Sequence, residues 1–229
     1  MEPVNPVMEP TNPNGRDQRT TRLDRRKART REALIEAAVQ LIGEGRGERA
    51  SIQEITDTAD VGFGSFYNHF QSKEQLFHTA SEQLLERWGR LIDASCSGMT
   101  DTAQIFAVSY RISCRLSWTH PEIARFLVGA GFEVLDSTLG LSPRALRDIR
   151  AGQAAGRFTF ANAELALHAA AGGLLGLLRI YLTQPEQLDL SAADDLTEAM
   201  LRMLGVGPDE AAALVAEPLP DVVESLLAQ

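Results

Sequence analysis

The stretch from Ser51 to Phe77, SIQEITDTADVGFGSFYNHFQSKEQLF, constrains this chain more than any other. Ser51-Ile-Gln-Glu54 has the form of a capping box, in which the Ser hydroxyl accepts from the Glu54 backbone N–H and the Glu54 carboxylate reaches back. Ile52, Ile55 and Ala59 recur at helical spacing and predict the buried side of a first short helix. Asp60-Val61-Gly62 makes a turn, with Val61 apolar enough to plug the angle between two helices. Gly62 is a permissive N-cap for the second helix. On that helix Phe66 and Phe70 are four apart and face the core, leaving Phe63, Ser65, Tyr67, Asn68 and His69 outward. Ser72-Lys73-Glu74-Gln75 starts a further helix. Two short helices about a glycine-bearing turn, the second with a small face at Gly64 and Ser65, have the form of a helix-turn-helix, whose second helix enters a DNA major groove.

Lys73 falls in the first turn of the helix that Ser72 caps. A cation there is mildly repelled by the helix dipole, and a phosphate docked at the same N-terminus reverses that sign. A solvated surface lysine is the competing reading. Upstream, Arg16, Arg19, Arg22, Arg25, Arg26, Lys27, Arg29 and Arg31 crowd into one interval opposed only by Asp17 and Asp24. The chain as a whole carries a formal charge of -9, so this cluster runs against the global balance. That asymmetry fits a nucleic-acid contact that releases counterions from phosphates, and a loose basic tail that orders on DNA is compatible with it. From Asp24 the chain turns helical, with Ala33, Leu34, Ala37, Ala38, Leu41 and Ile42 forming a stripe that ends at Gly43, Gly45 and Gly47. A support helix, a positioning helix and a reading helix make a three-helix head.

The order of basic arm, apolar helix and Ser51–Phe77 segment resembles the N-terminal DNA-binding domain of the TetR family of transcriptional regulators, over about Arg25 to Leu85. The resemblance implies an all-helical homodimer that binds a palindromic operator in double-stranded DNA. It also implies a variable C-terminal domain whose small-molecule ligand releases the DNA. Tyr67, His69 and Lys73 fall where the family contacts phosphates, and Ser51 where a cap residue does the same. Phe63, Gly64 and Ser65 fall where bases are read, with Asn68 beside them and Arg25 and Arg26 in the basic arm. Gly62 stands where the family commonly has a hydroxyl residue. On the residues alone, His69 is equally a packed ring at a helix end. Phe63, Gly64 and Ser65 offer few hydrogen bonds to base edges, so apolar contact and DNA shape should outweigh bidentate readout.

The 229 residues, with 44% hydrophobic content, suffice for one or two domains with a sizeable core. Cys96 and Cys114 are the only cysteines and suggest neither a disulfide framework nor a metal knuckle. No signal-peptide pattern or long uncharged apolar run is read, so the expected location is cytoplasmic. Met1 to Gly15, rich in Pro, Asn and Glu, is expected to be disordered. The expected divisions are a basic tail (1–23), the helix-turn-helix domain (24–71), a helical regulatory and dimerisation domain (72–206) and an acidic extension (207–229).

Beyond the head the periodicity predicts helices throughout: Ser72 to Ala94 as a bridge, Thr100 or Asp101 through Trp118, and His120-Pro121 to Gly140. A further helix opens at Ser142-Pro143, read as an N-cap with Pro at the first position, and another at Ser191. Asn162 to Leu182 is apolar on nearly every side and should be buried all round. It is therefore a central core or half of a subunit interface. The resemblance favours a dimer bundle, built from Leu167, Leu174, Leu175 and Leu178 with Met200 and Leu204 of the next helix. His168 and Arg179 interrupt the run and argue against a membrane span.

Tyr110, Cys114, Trp118, Phe126, Phe132 and His168 can line an apolar pocket with a few orienting polar groups. For each of them ordinary core packing is the competing reading. The histidines show no metal-ligand spacing, and no cofactor is implied. No phosphate loop, nucleophile elbow or HExxH is present, so catalysis is not indicated. The sequence therefore points to a ligand-responsive DNA-binding regulator, a repressor by preference, released by a small and largely apolar molecule. A helical-bundle enzyme and a protein-binding adaptor are the alternatives.

Overall fold

The computed structural model describes residues 22–220, and every regular element among them is helical. The head comprises α1 (Arg22–Gly43), a 3-10 turn (Gly47–Arg49), α2 (Ile52–Thr58) and α3 (Phe63–Phe66). α4 (Lys73–Ser95) leaves the head and enters a second domain. That domain is built from α5 (Thr102–Cys114), α6 (Leu116–Thr119), α7 (Pro121–Ala130), α8 (Leu141–Ala154), α9 (Ala163–Thr183), α10 (Ser191–Leu204) and α11 (Pro208–Ala216).

Local codes in the head are realised as written. The Glu54 N–H donates to Ser51 Oγ at 3.2 Å and the Ser51 N–H donates to Glu54 Oε2 at 2.9 Å, so both halves of the capping box close. Leu34, Ile55, Phe66 and Leu76 are fully buried together, each contributing about 1.5–3 kcal/mol of apolar transfer. α3 is shorter than the sequence suggests. Past Phe66 the chain continues in hydrogen-bonded turns, with the His69 and Phe70 N–H groups both donating to the Phe66 carbonyl. Arg22 and Leu23, assigned by sequence to a loose tail, are already helical. The rest of that tail, with Arg16 and Arg19, lies outside the described residues, as does the stretch beyond Pro220.

α4 is shared between two cores. Leu76 and Ala80 sit in the head, while Leu84, Leu85, Trp88 and Ile92 pack in the second domain. A second tie comes from α7, where Arg125 donates to the Gly43 carbonyl at 2.7 Å. The cation satisfies an orphan carbonyl at the α1 C-terminus and favourably meets its dipole.

The expected continuous helix from Pro121 to Gly140 breaks at Gly131, whose φ of 58° is outside helical space, and resumes as a 3-10 turn (Gly131–Asp136). α8 is capped by Gly140 and not by Ser142. The Ser142 hydroxyl instead donates to the Leu135 carbonyl at 3.0 Å, fastening the 3-10 turn. α10 likewise lacks a side-chain cap of its own; Asp189 accepts from the Ser191 N–H and hydroxyl. The stretch after α10 packs onto the domain, with buried Arg111 bridging Asp194 at 2.7 Å and the Glu217 carbonyl at 2.7 Å.

Within one protomer α9 is not buried all round. Leu178 is fully buried, yet Leu165 (57% exposed) and Ile180 (39% exposed) face outward with His168 and Gly176. α9 is also long and apolar enough, by length and composition, to cross a membrane.

Candidate DNA interface and ligand cavity

On the head, Phe63 and Tyr67 are 47% and 58% exposed although both are large aromatics. They are held by edge-on contacts: Phe63 with Tyr67 at 6.0 Å, and Tyr67 with buried Phe66 at 5.3 Å. The phenol is thus presented on a fixed ring. Gly64 and Asn68 are exposed beside them and Ser65 is half-buried. Arg31 of α1 lies over the Phe70 ring at 5.2 Å, a cation–π contact. Burial, then the charges of Arg31 and Lys27, hold the His69 imidazole below its ordinary pKa. The basic face of α1 is therefore placed against the reading helix, with Arg25, Arg26 and Arg29 lining an open groove beside Ala59, Asp60 and Val61. Ser51 caps α2, and Lys73 in the first turn of α4 donates to the Ala50 carbonyl at 3.4 Å.

The second domain holds a partly open cavity of about 110 Å³. Leu85 and Ile92 of α4 form one wall, Phe106, Ser109, Tyr110 and Ser113 of α5 another. Val134 and Leu135 of the 3-10 turn, Arg144 and Asp148 of α8, and Ala170 and Leu174 of α9 complete it. Most of this lining is apolar, and its polar atoms have partners. Tyr110 donates to the Ala170 carbonyl at 2.6 Å, and burial pushes its phenol pKa up. Ser113 donates to the Ser109 carbonyl at 2.9 Å, and Asp148 accepts from Arg147 at 2.7 Å.

Of the ligand candidates read from sequence, only Tyr110 is on the wall. Cys114 is fully buried in packing, its thiol pKa raised chiefly by burial. Trp118 packs on Tyr181 at 4.3 Å, and half-buried Phe126 packs in the core around α7. Phe132 is 54% exposed and stacks with exposed His168, whose Nδ1 lies 2.8 Å from the Glu164 carbonyl. Aromatic identity does not mark this cavity, because a small cavity is walled by the same aliphatic residues that fill a core. Ser109, Arg144 and Asp148 were missed; each is a polar residue inside an otherwise amphipathic helix.

The interface candidates divide similarly. Leu178 and Leu204 are fully buried in the protomer's own core and Leu167 lines the cavity, so these three are not available to a partner. Leu174 and Leu175 are half-buried on the cavity wall, and Met200 packs against the same core. The exposed apolar residues of this region are Leu165, Ile180 and Leu190. No group of His, Cys, Asp and Glu among the described residues could hold a metal.

A helix-turn-helix head joined by one long helix to a helical domain with a largely apolar, partly open cavity is the architecture of a ligand-responsive DNA-binding regulator. Residues 34–80 match the profile of bacterial regulatory proteins of the tetR family, and residues 101–217 match the tetracyclin repressor-like C-terminal domain. RolR solved with resorcinol is 33% identical, with a TM-score of 0.70 over 86% of this chain and 98% of that one. RolR without ligand is 34% identical, with a TM-score of 0.69 over 83% and 98%. The transcriptional repressor DhaR of Mycobacterium sp. strain GP1 is 31% identical over 113 residues, which are 49% of this chain and 52% of that protein. KstR2 of Mycolicibacterium smegmatis, also a transcriptional repressor, is 25% identical over 87 residues, 36% of this chain and 42% of that protein. The chain thus spans about half the length of these two curated relatives. The chain belongs to the TetR family. The two curated relatives are transcriptional repressors.

Proposed function

We propose that this protein is a repressor that binds a palindromic operator as a homodimer and leaves it when a small, largely apolar molecule fills the cavity. The observation that carries this reading is the shared α4: Leu85 and Ile92 line the cavity, while Leu76 of the same helix is locked in the head. Occupancy that moves α4 changes the separation of two reading heads, provided the ligand favours the non-operator spacing.

Size narrows the ligand. An apolar cavity of about 150 Å³ holds one benzene ring, so the 110 Å³ here suits a single ring or its equivalent. The hydroxyls of Ser109 and Ser113 and the charged groups of Arg144 and Asp148 offer that ring one polar side. RolR, whose solved complex holds resorcinol, supports a hydroxylated ring over a long acyl chain. The direct test is anisotropy of labelled DNA from around the coding region, titrated with single-ring phenols and with long-chain acyl thioesters. Release by phenols alone is expected. Absence of any salt-dependent, specific fragment would overturn the regulator reading, and release by acyl thioesters alone would overturn the ring.

The dimer face is the exposed apolar side of α9 around Leu165 and Ile180. A membrane segment would place that side in lipid, but Leu178 on the other side is already in the protomer's core. A soluble, cytoplasmic dimer is the reading adopted.

His69 gives the operator contact a pH signature. In the free protein its imidazolium is disfavoured by burial and by Arg31 and Lys27, so the ring is neutral at neutral pH. A phosphate oxygen beside it favours the charged form, so docking takes up a proton. Operator affinity is expected to rise about three- to tenfold per protomer as pH falls from about 8 to about 6. His69→Gln should flatten that slope, and an unchanged slope would assign His69 to packing.

A further inference from the structure

α4 carries an interior glycine in its C-terminal third, Gly89, where an alanine would strengthen an isolated helix by about 1 kcal/mol. The reason is a guanidinium. A Cβ at this position would lie 2.7 Å from Arg144 Nη1 and 2.9 Å from Cζ, so Arg144 packs directly on the α4 backbone. Acidic residues flank the glycine on the same face. Glu86 accepts from Arg144 Nη1 at 2.8 Å and Nη2 at 2.9 Å, and Asp93 accepts from Nε at 2.7 Å. The Gly140 N–H adds a bond to Glu86 at 3.2 Å, and the Gly140 carbonyl takes a further Arg144 N–H at 2.8 Å.

We propose that Arg144 is the positioning residue that transmits cavity occupancy to α4, through a fork closed on Glu86 and Asp93 over Gly89. The proposal rests on the reading of the cavity as an effector site. Arg144 is also part of the cavity wall, so one side chain belongs both to the cavity and to the bridge helix. Its planar donors are almost wholly engaged. An oxygen of a bound ring therefore gains a strong bond only by drawing donors away from the α4 carboxylates. From Gly89 to the start of α4 the helix runs roughly 24 Å, so a tilt of a few degrees at the fork moves the head end by an ångström or more. The carboxyl of Glu86 is held at about 2, first by the Arg144 bonds and then by the Gly140 N–H, so the fork stays charged at any working pH.

The test separates coupling from binding. Phenol, catechol and resorcinol are titrated by calorimetry into the free protein and into its operator complex. The ratio of the two affinities measures coupling, which by linkage equals the ratio of operator affinities with and without ligand. Gly89→Ala displaces the guanidinium, and Glu86→Gln removes its charged partner; neither residue lines the cavity. Both variants are expected to bind the bare operator within about threefold of the parent and, whatever their affinity for the best phenol, to lose at least tenfold in coupling. Melting curves show that each variant is folded. Retention of the parental ratio in either folded variant would overturn the proposal. A parent protein that ignores all the phenols instead sinks the effector reading, and this proposal with it.

Discussion

Replacing Tyr67 by Phe and Lys73 by Ala together is expected to weaken operator binding about 100- to 1,000-fold at 0.15 M salt while leaving the fold intact. The reading makes both residues phosphate contacts, so a dimer loses four contacts at once. A hydrogen bond to a charged group is worth about 1.5–3 kcal/mol when fully desolvated and less at a wet interface. At about 1 kcal/mol each, four contacts give the stated range. The salt dependence supplies a sharper check. Removing one lysine per protomer should reduce the slope of log affinity against log salt by about 1.8, at 0.9 per neutralised phosphate. The Tyr67 hydroxyl sits on a ring that is 58% exposed, and Lys73 donates a long 3.4 Å bond to the Ala50 carbonyl. Stability should therefore change by less than about 1 kcal/mol. An unchanged slope with an unchanged melting curve would remove Lys73 from the interface.

The second large effect concerns assembly. Leu165→Asp with Ile180→Asp places two carboxylates per protomer on the outward side of α9, where both leucine and isoleucine are exposed in the single chain. If that side meets its symmetry mate, unpaired carboxylates buried there cost several kcal/mol, and the dimer should fall to monomer mass by light scattering. Operator affinity should drop by 10²- to 10⁴-fold, since a monomer reads one half-site and loses the effective concentration of the second head. Far-ultraviolet helicity should stay, because neither side chain belongs to the protomer core. A double variant that remains a dimer would move the interface to another face.

How much of this was legible follows the range of the signal. The head was written in local code: the Ser51–Glu54 box, the turn at Asp60-Val61-Gly62 and the Phe66/Phe70 spacing each specify their own structure within a few residues. The helix starting at Asn162 was equally clear, and Asn162 Oδ1 does accept from the Leu165 N–H at 2.9 Å. Its faces were not. When nearly every position is apolar, periodicity cannot separate the side that meets Tyr110 and Leu196 from the side left open, so Leu167 and Leu178 were assigned outward and lie inward. The cavity failed for a related reason. Arg144 reads as a surface arginine until Glu86 and Asp93, more than 50 residues away, are folded onto it. Ser142-Pro143 looked like a cap because local rules favour it; the positive-φ turn at Gly140 starts the helix two residues earlier and frees the serine for Leu135.

Tyr110 has a consequence for how this scaffold can change its diet. Its hydroxyl, the group best suited to discriminate one polar ring from another, is committed to the Ala170 carbonyl and holds α5 to α9. Away from the polar side at Ser109, Ser113, Arg144 and Asp148, selectivity is left to aliphatic contour, where one methylene is worth about 1–3 kcal/mol of discrimination. Descendants of this chain can then exchange one small molecule for a slightly larger or smaller one by trimming half-buried Val134, Leu135 or Leu174, each step modest. A regulator walled in this way drifts in size preference far more readily than it switches chemical class.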